Sequence, residues 1–295
     1  MFFKLHKKRQ FILILVIGLS ACGSFGTSNT ATPELPTFTP EPPTATPPPS
    51  AAVVNGEYIT ITEFEAELAR YKSAQTEIGN VVTEAEANQM VLEDLIAQVL
   101  LSQGAREENF TLTESDLQAR IESLASEIGG MDALSAWQSA HGYDDASFRI
   151  SLARSIEAAW MRDKIVTEVP AEMEQIHLRQ ILTYNDGDAR LAMEQLNTGT
   201  EFDELAALYD PVTLGELGWV PQGYLLDENA DAAVFALQAG EHTDIIQTSA
   251  GFHIFKAIER GSHSLSPDAL LRMQELSLKN WLADKRANSE IVLAP

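Results

Sequence analysis

The stretch from Gly215 to Arg260, GELGWVPQGYLLDENADAAVFALQAGEHTDIIQTSAGFHIFKAIER, constrains this chain more than any other. Gly215, Gly218 and Gly223 punctuate a short apolar run, Ala230–Leu237 reads as a brief helix, and Gly240 breaks it. Thr243–Thr248 and Phe252–Ile258 are β-rich runs separated by Ser249-Ala250-Gly251, the pattern of a hairpin. Upstream, Ile176–Thr183 has strand character, and Asp188–Asn197 and Phe202–Tyr209 have helical character. The order is β-α-α-β-α-β-β, which folds as a small antiparallel sheet with helices packed outside it. Nothing in it supplies a phosphate loop, a metal-ligand cluster or an activated nucleophile, so its chemistry has to come from shape and hydrogen bonding.

The preceding part of the chain is helical. Asn55-Gly56 joins two short β runs, because both residues tolerate positive φ. Thr62 with Glu65, Thr83 with Glu86 and Thr113 with Asp116 have the spacing of helix-opening caps. The helix after Thr83 carries Val91, Leu92, Leu95, Ile96, Val99 and Leu100, a stripe wide enough to need neighbours on several sides. A helix from Thr113 ends at Gly129-Gly130, a short one spans Met131–Ala140, and a long one runs from Asp144 to about Val166. Pro170 closes this part. After Arg260, Ser266-Pro267 opens a last helix in which Leu271, Leu278, Trp281 and Leu282 share a face. Ile291-Val292-Leu293 then reads as a strand in search of a sheet edge.

The N-terminus has a different composition. Met1–Arg9 is basic, Phe11–Leu19 is apolar but short for a membrane span, and Leu19-Ser20-Ala21-Cys22 matches the lipobox of bacterial lipoproteins. Cys22 is the only cysteine, so no intramolecular disulfide forms and the body is held by packing alone. The lipobox implies that residues 1–22 are a signal peptide and that Cys22 carries two or more acyl chains, enough for stable anchoring. Residues 23–50 are rich in Thr and Pro with almost nothing to bury, the composition of a disordered tether. Removing the leader leaves 16 basic against 43 acidic residues. That surface repels phosphate backbones, which argues against nucleic-acid partners.

GELGW, FALQAGE and GFHIFKAIER, in that order and preceded by IHLRQIL, resemble the parvulin-type peptidyl-prolyl isomerase domain. VNGEYITITEFEAEL and LEDLIAQVLL resemble the N-terminal module of SurA- and PrsA-type extracytoplasmic foldases. The resemblance implies an α+β protein in which a helical chaperone module, residues 51–170 completed by 262–295, carries an inserted parvulin-like domain, residues 171–261. It also implies a site. His253 stands at the second histidine of the parvulin pair, with Thr248 five residues before it. Gln180 stands where the first histidine belongs, and His177, three positions away in the strand, points to the other face. Asp210 matches the cysteine-or-aspartate position, Leu217 the leucine of the proline pocket and Leu225 its methionine. The pocket phenylalanine is replaced by Asn229 or Ala230. Phe252 is expected beside His253 in substrate binding. No cofactor or metal is implied.

Read as residues alone, His253 is also at home as a hydrogen-bonded sheet histidine, and Asp210 before Pro211 as a turn former. Three functions follow. The first is a lipid-anchored extracytoplasmic isomerase and chaperone, weakly catalytic, acting on unfolded exported polypeptides. The second is a non-catalytic chaperone or scaffold with a degenerate parvulin domain. A solute-binding lipoprotein shares the anchor and tether but needs a large two-lobed α/β pattern that is missing from the sequence.

Overall fold

The structure is a computed structural model that describes residues 47–294; the expected signal peptide, Cys22 and most of the Thr/Pro-rich tether lie outside the described residues. A hairpin opens the described part. Strands β1 (Ser50–Val54) and β2 (Glu57–Thr60) pair across Asn55-Gly56, where φ is 50° and 83°. The hairpin runs directly into α1 (Ile61–Glu77), capped by Thr60, whose hydroxyl accepts from Glu63 N–H at 3.1 Å. The cap is therefore two residues earlier than the expected Thr62 and Glu65. Two Thr-x-x-Glu frames overlap here, and the extended backbone at the end of β2 selects the first.

Helices α2 (Glu84–Glu107), α3 (Glu114–Ile128), α4 (Met131–Ala140) and α5 (Asp145–Thr167) follow. Thr83 with Glu86, Thr113 with Asp116 and Asp144 with Ser147 form complete capping boxes. Helix α2 is the centre of this region. Its Val91, Leu95, Ile96, Val99 and Leu100 are buried against Ala52, Val54 and Ile59 of the hairpin. Five such aliphatic side chains contribute about 7–15 kcal/mol before conformational entropy is charged against them. Further along α2, Leu101 and Ala105 meet Ala158, Met161 and Ile165 of α5.

The second sheet is built from β3 (Glu172–Thr183), then α6 (Asp186–Asn197), α7 (Phe202–Tyr209), β4 (Glu216–Pro221), α8 (Glu228–Ala236), β5 (Ile246–Thr248) and β6 (Gly251–Ser264). The element order is the expected one, and the antiparallel strand order is β4-β3-β6-β5. Strands β3 and β6 are longer than their apolar runs suggest. Each supplies ladder partners to the other's polar end, from Glu172 opposite Ser264 to Thr183 opposite Phe252. Alternation along the strands divides the core. Ile176, Leu178, Phe255 and Ala257 pack with Ala230 and Val234 of α8, while Ile181 and Ile254 pack with Ala192, Phe202, Leu205 and Ala206 of α6 and α7.

The chain then returns to the hairpin. Helix α9 (Pro267–Ala287) starts at the Ser266 cap, and Leu278, Trp281 and Leu282 pack into the cluster shared by α2 and α5. Leu271 does not join that face; it is 58% exposed. The first half of α9 has a different neighbour, the loop around Gly223, met through Met273 and Leu276, and this turns Leu271 outward. Strand β7 (Ile291–Leu293) pairs antiparallel with β1, so the first sheet has the order β2-β1-β7.

Candidate active site

Gln180 on β3 and His253 on β6 lie on one face of the second sheet, diagonal to each other because Leu182 is opposite His253 and Gln180 opposite Phe255. The two side chains meet: His253 Nδ1 and Gln180 Oε1 are 2.9 Å apart. On the other side of the ring, Nε2 lies 2.9 Å from Thr248 Oγ1, brought there by the β5–β6 turn. Thr248 Oγ1 also accepts from Ala250 N–H at 3.0 Å.

A carboxamide oxygen only accepts, so Nδ1 carries the proton and donates it to Gln180. In the neutral ring Nε2 is then an acceptor, and the Thr248 hydroxyl donates to it. Burial pushes the His253 pKa down, and the negative charge of Asp227 only partly opposes this. The imidazole is therefore neutral, with a fixed tautomer. It is 8% exposed and stacks on Phe255, ring centroids 5.2 Å apart and planes within 7°.

Phe255 belongs to an apolar floor that includes buried Ala230 and Val234, with Tyr224, Leu225 and Ile246 packed against it. Leu225 thus packs against the cluster that holds Phe255. Of the two residues expected at the pocket-phenylalanine position, Ala230 is buried in this cluster and offers only a methyl group, and Asn229 is exposed. Leu217 is on β4 and 36% exposed, outside the packed floor.

Two expected members are placed elsewhere. Asp210 follows α7, and its carboxylate accepts from Val212 N–H and Thr213 N–H, both at 3.1 Å, and from the Thr213 hydroxyl. Those bonds hold its pKa below the usual carboxylate value, with the Thr213 hydroxyl the largest cause. They close its own turn, and none reaches His253 or Gln180. What this turn does supply is backbone: Gly215 C=O accepts from Gln180 N–H at 2.8 Å. Phe252 is the second case. Adjacent residues of a strand point to opposite faces, so Phe252 leaves the His253 face and lines a cleft with Asp186, Arg190, Ile245 and Gln247. His177 is also on that far face, where it stacks on Trp219 and bonds Glu216.

Phe255 and Asp227 were not singled out from sequence. Phe255 had a legible signal, since it lies two residues beyond His253 in the same strand. Asp227 had only the signal of a helix cap, which it is, accepting from Ala230 N–H at 2.9 Å.

The arrangement holds no nucleophile. Both nitrogens of the neutral ring are engaged, so the group left to hydrogen-bond an amide whose geometry is changing is the Gln180 carboxamide NH2, which the ring holds beside these apolar residues. Comparison with known proteins agrees with that chemistry. Residues 2–142 match the family described as SurA-like N-terminal domain, and residues 186–259 match the PPIC-type PPIase domain. The foldase protein PrsA of Geobacillus kaustophilus is 26% identical over 204 residues, covering 63% of this chain and 70% of that protein. The chaperone SurA of Alkalilimnicola ehrlichii is 26% identical over 245 residues, covering 71% and 56%. The solved structure of the peptidylprolyl isomerase PrsA from Bacillus anthracis has a TM-score of 0.40 and 21% identity, covering 67% of this chain and 97% of that one. The chain thus carries a SurA-like N-terminal domain over residues 2–142 and a PPIC-type, that is parvulin-type, PPIase domain over residues 186–259.

Proposed function

We propose that this protein is an extracytoplasmic folding factor, a peptidyl-prolyl isomerase and chaperone for exported polypeptides, held at a bacterial membrane by acyl chains on Cys22. The carrying observation is the His253 ring, fixed between Thr248 and Gln180 above the Leu225 and Phe255 floor, in a region that matches a PPIase domain. Rotation about an X-Pro amide has a barrier of about 18–20 kcal/mol and breaks no bond. His253 is the catalytic residue of this reading, Gln180 and Thr248 orient it, and Leu225 and Leu217 bound the proline ring. Asp210 acts through the backbone of its turn. The helical module comprises residues 51–170 with 262–295, and the isomerase domain residues 171–261; the pairing of β7 with β1 supports this division.

The test is exchange on an X-Pro peptide with residues 51–295. Uncatalysed exchange takes about tens to hundreds of seconds, so weak catalysis is measurable by magnetisation exchange. Wild type accelerates exchange weakly, His253→Ala abolishes the effect, and Gln180→His raises it. The small Ala230 wall keeps even that variant below a complete site. Gln180 and Ala230 also favour the second reading, a chaperone with a degenerate domain. That reading stands if all three proteins match the uncatalysed rate while still suppressing client aggregation. Cys22→Ser tests the anchor by releasing the body from membranes and abolishing acyl labelling.

A further inference from the structure

The loop from Gln222 to Asp227, between β4 and α8, brings Tyr224 and Leu225 to the apolar floor under His253. It ends in Asp227, whose charge is felt at His253. Gly223 is the fixed point of this loop. Its N–H donates to both oxygens of buried Asp231 at 2.9 and 3.0 Å, which ties it to α8. Its C=O accepts from Arg272 Nε at 3.2 Å. Leu276 lies against it so closely that a Cβ at position 223 would come within 2.5 Å of a Leu276 methyl.

Arg272 and Leu276 belong to α9, outside residues 186–259 that match the PPIase domain. The same helix continues into the packing of α2 and α5 through Leu278, Trp281 and Leu282. One side of the isomerase loop is therefore held by its own α8, and the other by a helix anchored in the helical region. Gly223 has φ +87° and no side chain, so without the outer hold the loop has many conformations to lose on binding.

We propose that α9 is a positioning element of the isomerase groove, with Arg272 and Leu276 holding the loop that places Leu225 and Asp227 relative to His253. The inference rests on the reading of Leu225 as a wall of that groove. Ordering done in advance by α9 is not required of the substrate complex, so loss of the hold weakens binding before it slows rotation.

The experiment uses the full mature chain with Arg272→Ala, Arg272→Lys and Leu276→Ala. It measures KM and kcat on an X-Pro peptide, and the amide and His253 imidazole signals by NMR. Arg272→Ala raises KM about two- to tenfold, the range expected for one ordinary hydrogen bond, and leaves kcat unchanged. Arg272→Lys, which still donates to Gly223 C=O, recovers part of the loss. The amide signals of Tyr224–Asp227 and the His253 signal move in Arg272→Ala and Leu276→Ala, while those of α2 and α5 stay in place. If the wild type proves inactive, peptide Kd replaces KM, and the loop signals still decide the matter. Should Arg272→Ala unfold, the Arg272→Lys comparison carries the same decision. Unchanged affinity and unchanged loop signals in the folded variants overturn the proposal and leave α9 a packing helix only.

Discussion

Two glycines three residues apart separate backbone strain from contact strain at the candidate site. Gly215 has φ +72° and Gly218 has φ +75°, so an alanine at either meets nearly the same left-handed penalty, about 1–2 kcal/mol. Their surroundings differ. A Cβ at 218 has nothing within 4 Å, whereas one at 215 would lie 2.1 Å from the Gln180 carbonyl oxygen and 3.1 Å from Ala206 Cβ. That carbonyl cannot turn aside, because Gln180 is paired opposite Phe255 and its own N–H is bonded to Gly215 C=O. Relief requires the turn to lift off β3, losing that hydrogen bond at about 0.5–1.5 kcal/mol and straining the packing by about 1–3 kcal/mol. Gly215→Ala should therefore cost about 2–4 kcal/mol more than Gly218→Ala. Native-state hydrogen exchange of the β3 and β6 amides, followed through a urea series, reports on this sheet alone. Equal costs for the two variants would refute the contact argument and show that the 210–215 turn yields freely.

Three further outcomes follow from named contacts. Because burial lowers the His253 pKa from 6.5, the unfolded chain binds a proton below that pH that the folded chain refuses; sheet stability should fall as pH drops below about 6.5, and His253→Gln should flatten that slope. Arg154, 5% exposed, bridges Glu57 at 3.3 Å and Glu63, so Arg154→Met should cost about 2–4 kcal/mol in urea unfolding, at the low end for a broken buried pair because both carboxylates keep some water. Replacing residues 172–260 by a short linker should leave a folded helical protein in which β7 still pairs with β1; loss of near-UV dichroism in the product would count against the proposed division.

Legibility in the sequence followed the range of the interaction. The caps at Thr83 and Thr113 are complete within four residues and are readable, whereas Asp144 with Ser147 lacks the Thr-x-x-acid spelling and is legible only as a helix start. The cap of α1 was misplaced because the end of β2 decides between two equal frames, and that end depends on pairing with β1. The polar ends of β3 and β6 carry no alternation, and only their mutual ladder makes them strands. Leu271 has the heptad spacing of Leu278, yet α9 changes neighbours between them, which no periodicity records. Within the site, Thr248 and His253 were legible because a hairpin brings residues five apart together. Phe252 was misread although strand parity alone separates it from His253. Gln180 was found only through the motif, since a glutamine in a strand announces nothing by itself.

The hydrogen bonds around His253 all run in one direction, from Ala250 N–H to Thr248, from the Thr248 hydroxyl to Nε2, and from Nδ1–H to Gln180. Each donor in such a chain polarises the next, which strengthens the whole and holds the ring in place. The chain ends on a carboxamide that does not ionise near neutral pH. A histidine at position 180 would end it on a second titratable ring able to accept or donate at either nitrogen. The present arrangement is therefore an oriented and uncharged site, with one ionisation to give, that of His253 itself. The ring is oriented without a histidine at position 180 because glutamine supplies the acceptor. What glutamine cannot supply is a second group whose protonation follows the needs of the twisting amide, and this is why orientation and catalytic strength separate in the Gln180→His comparison.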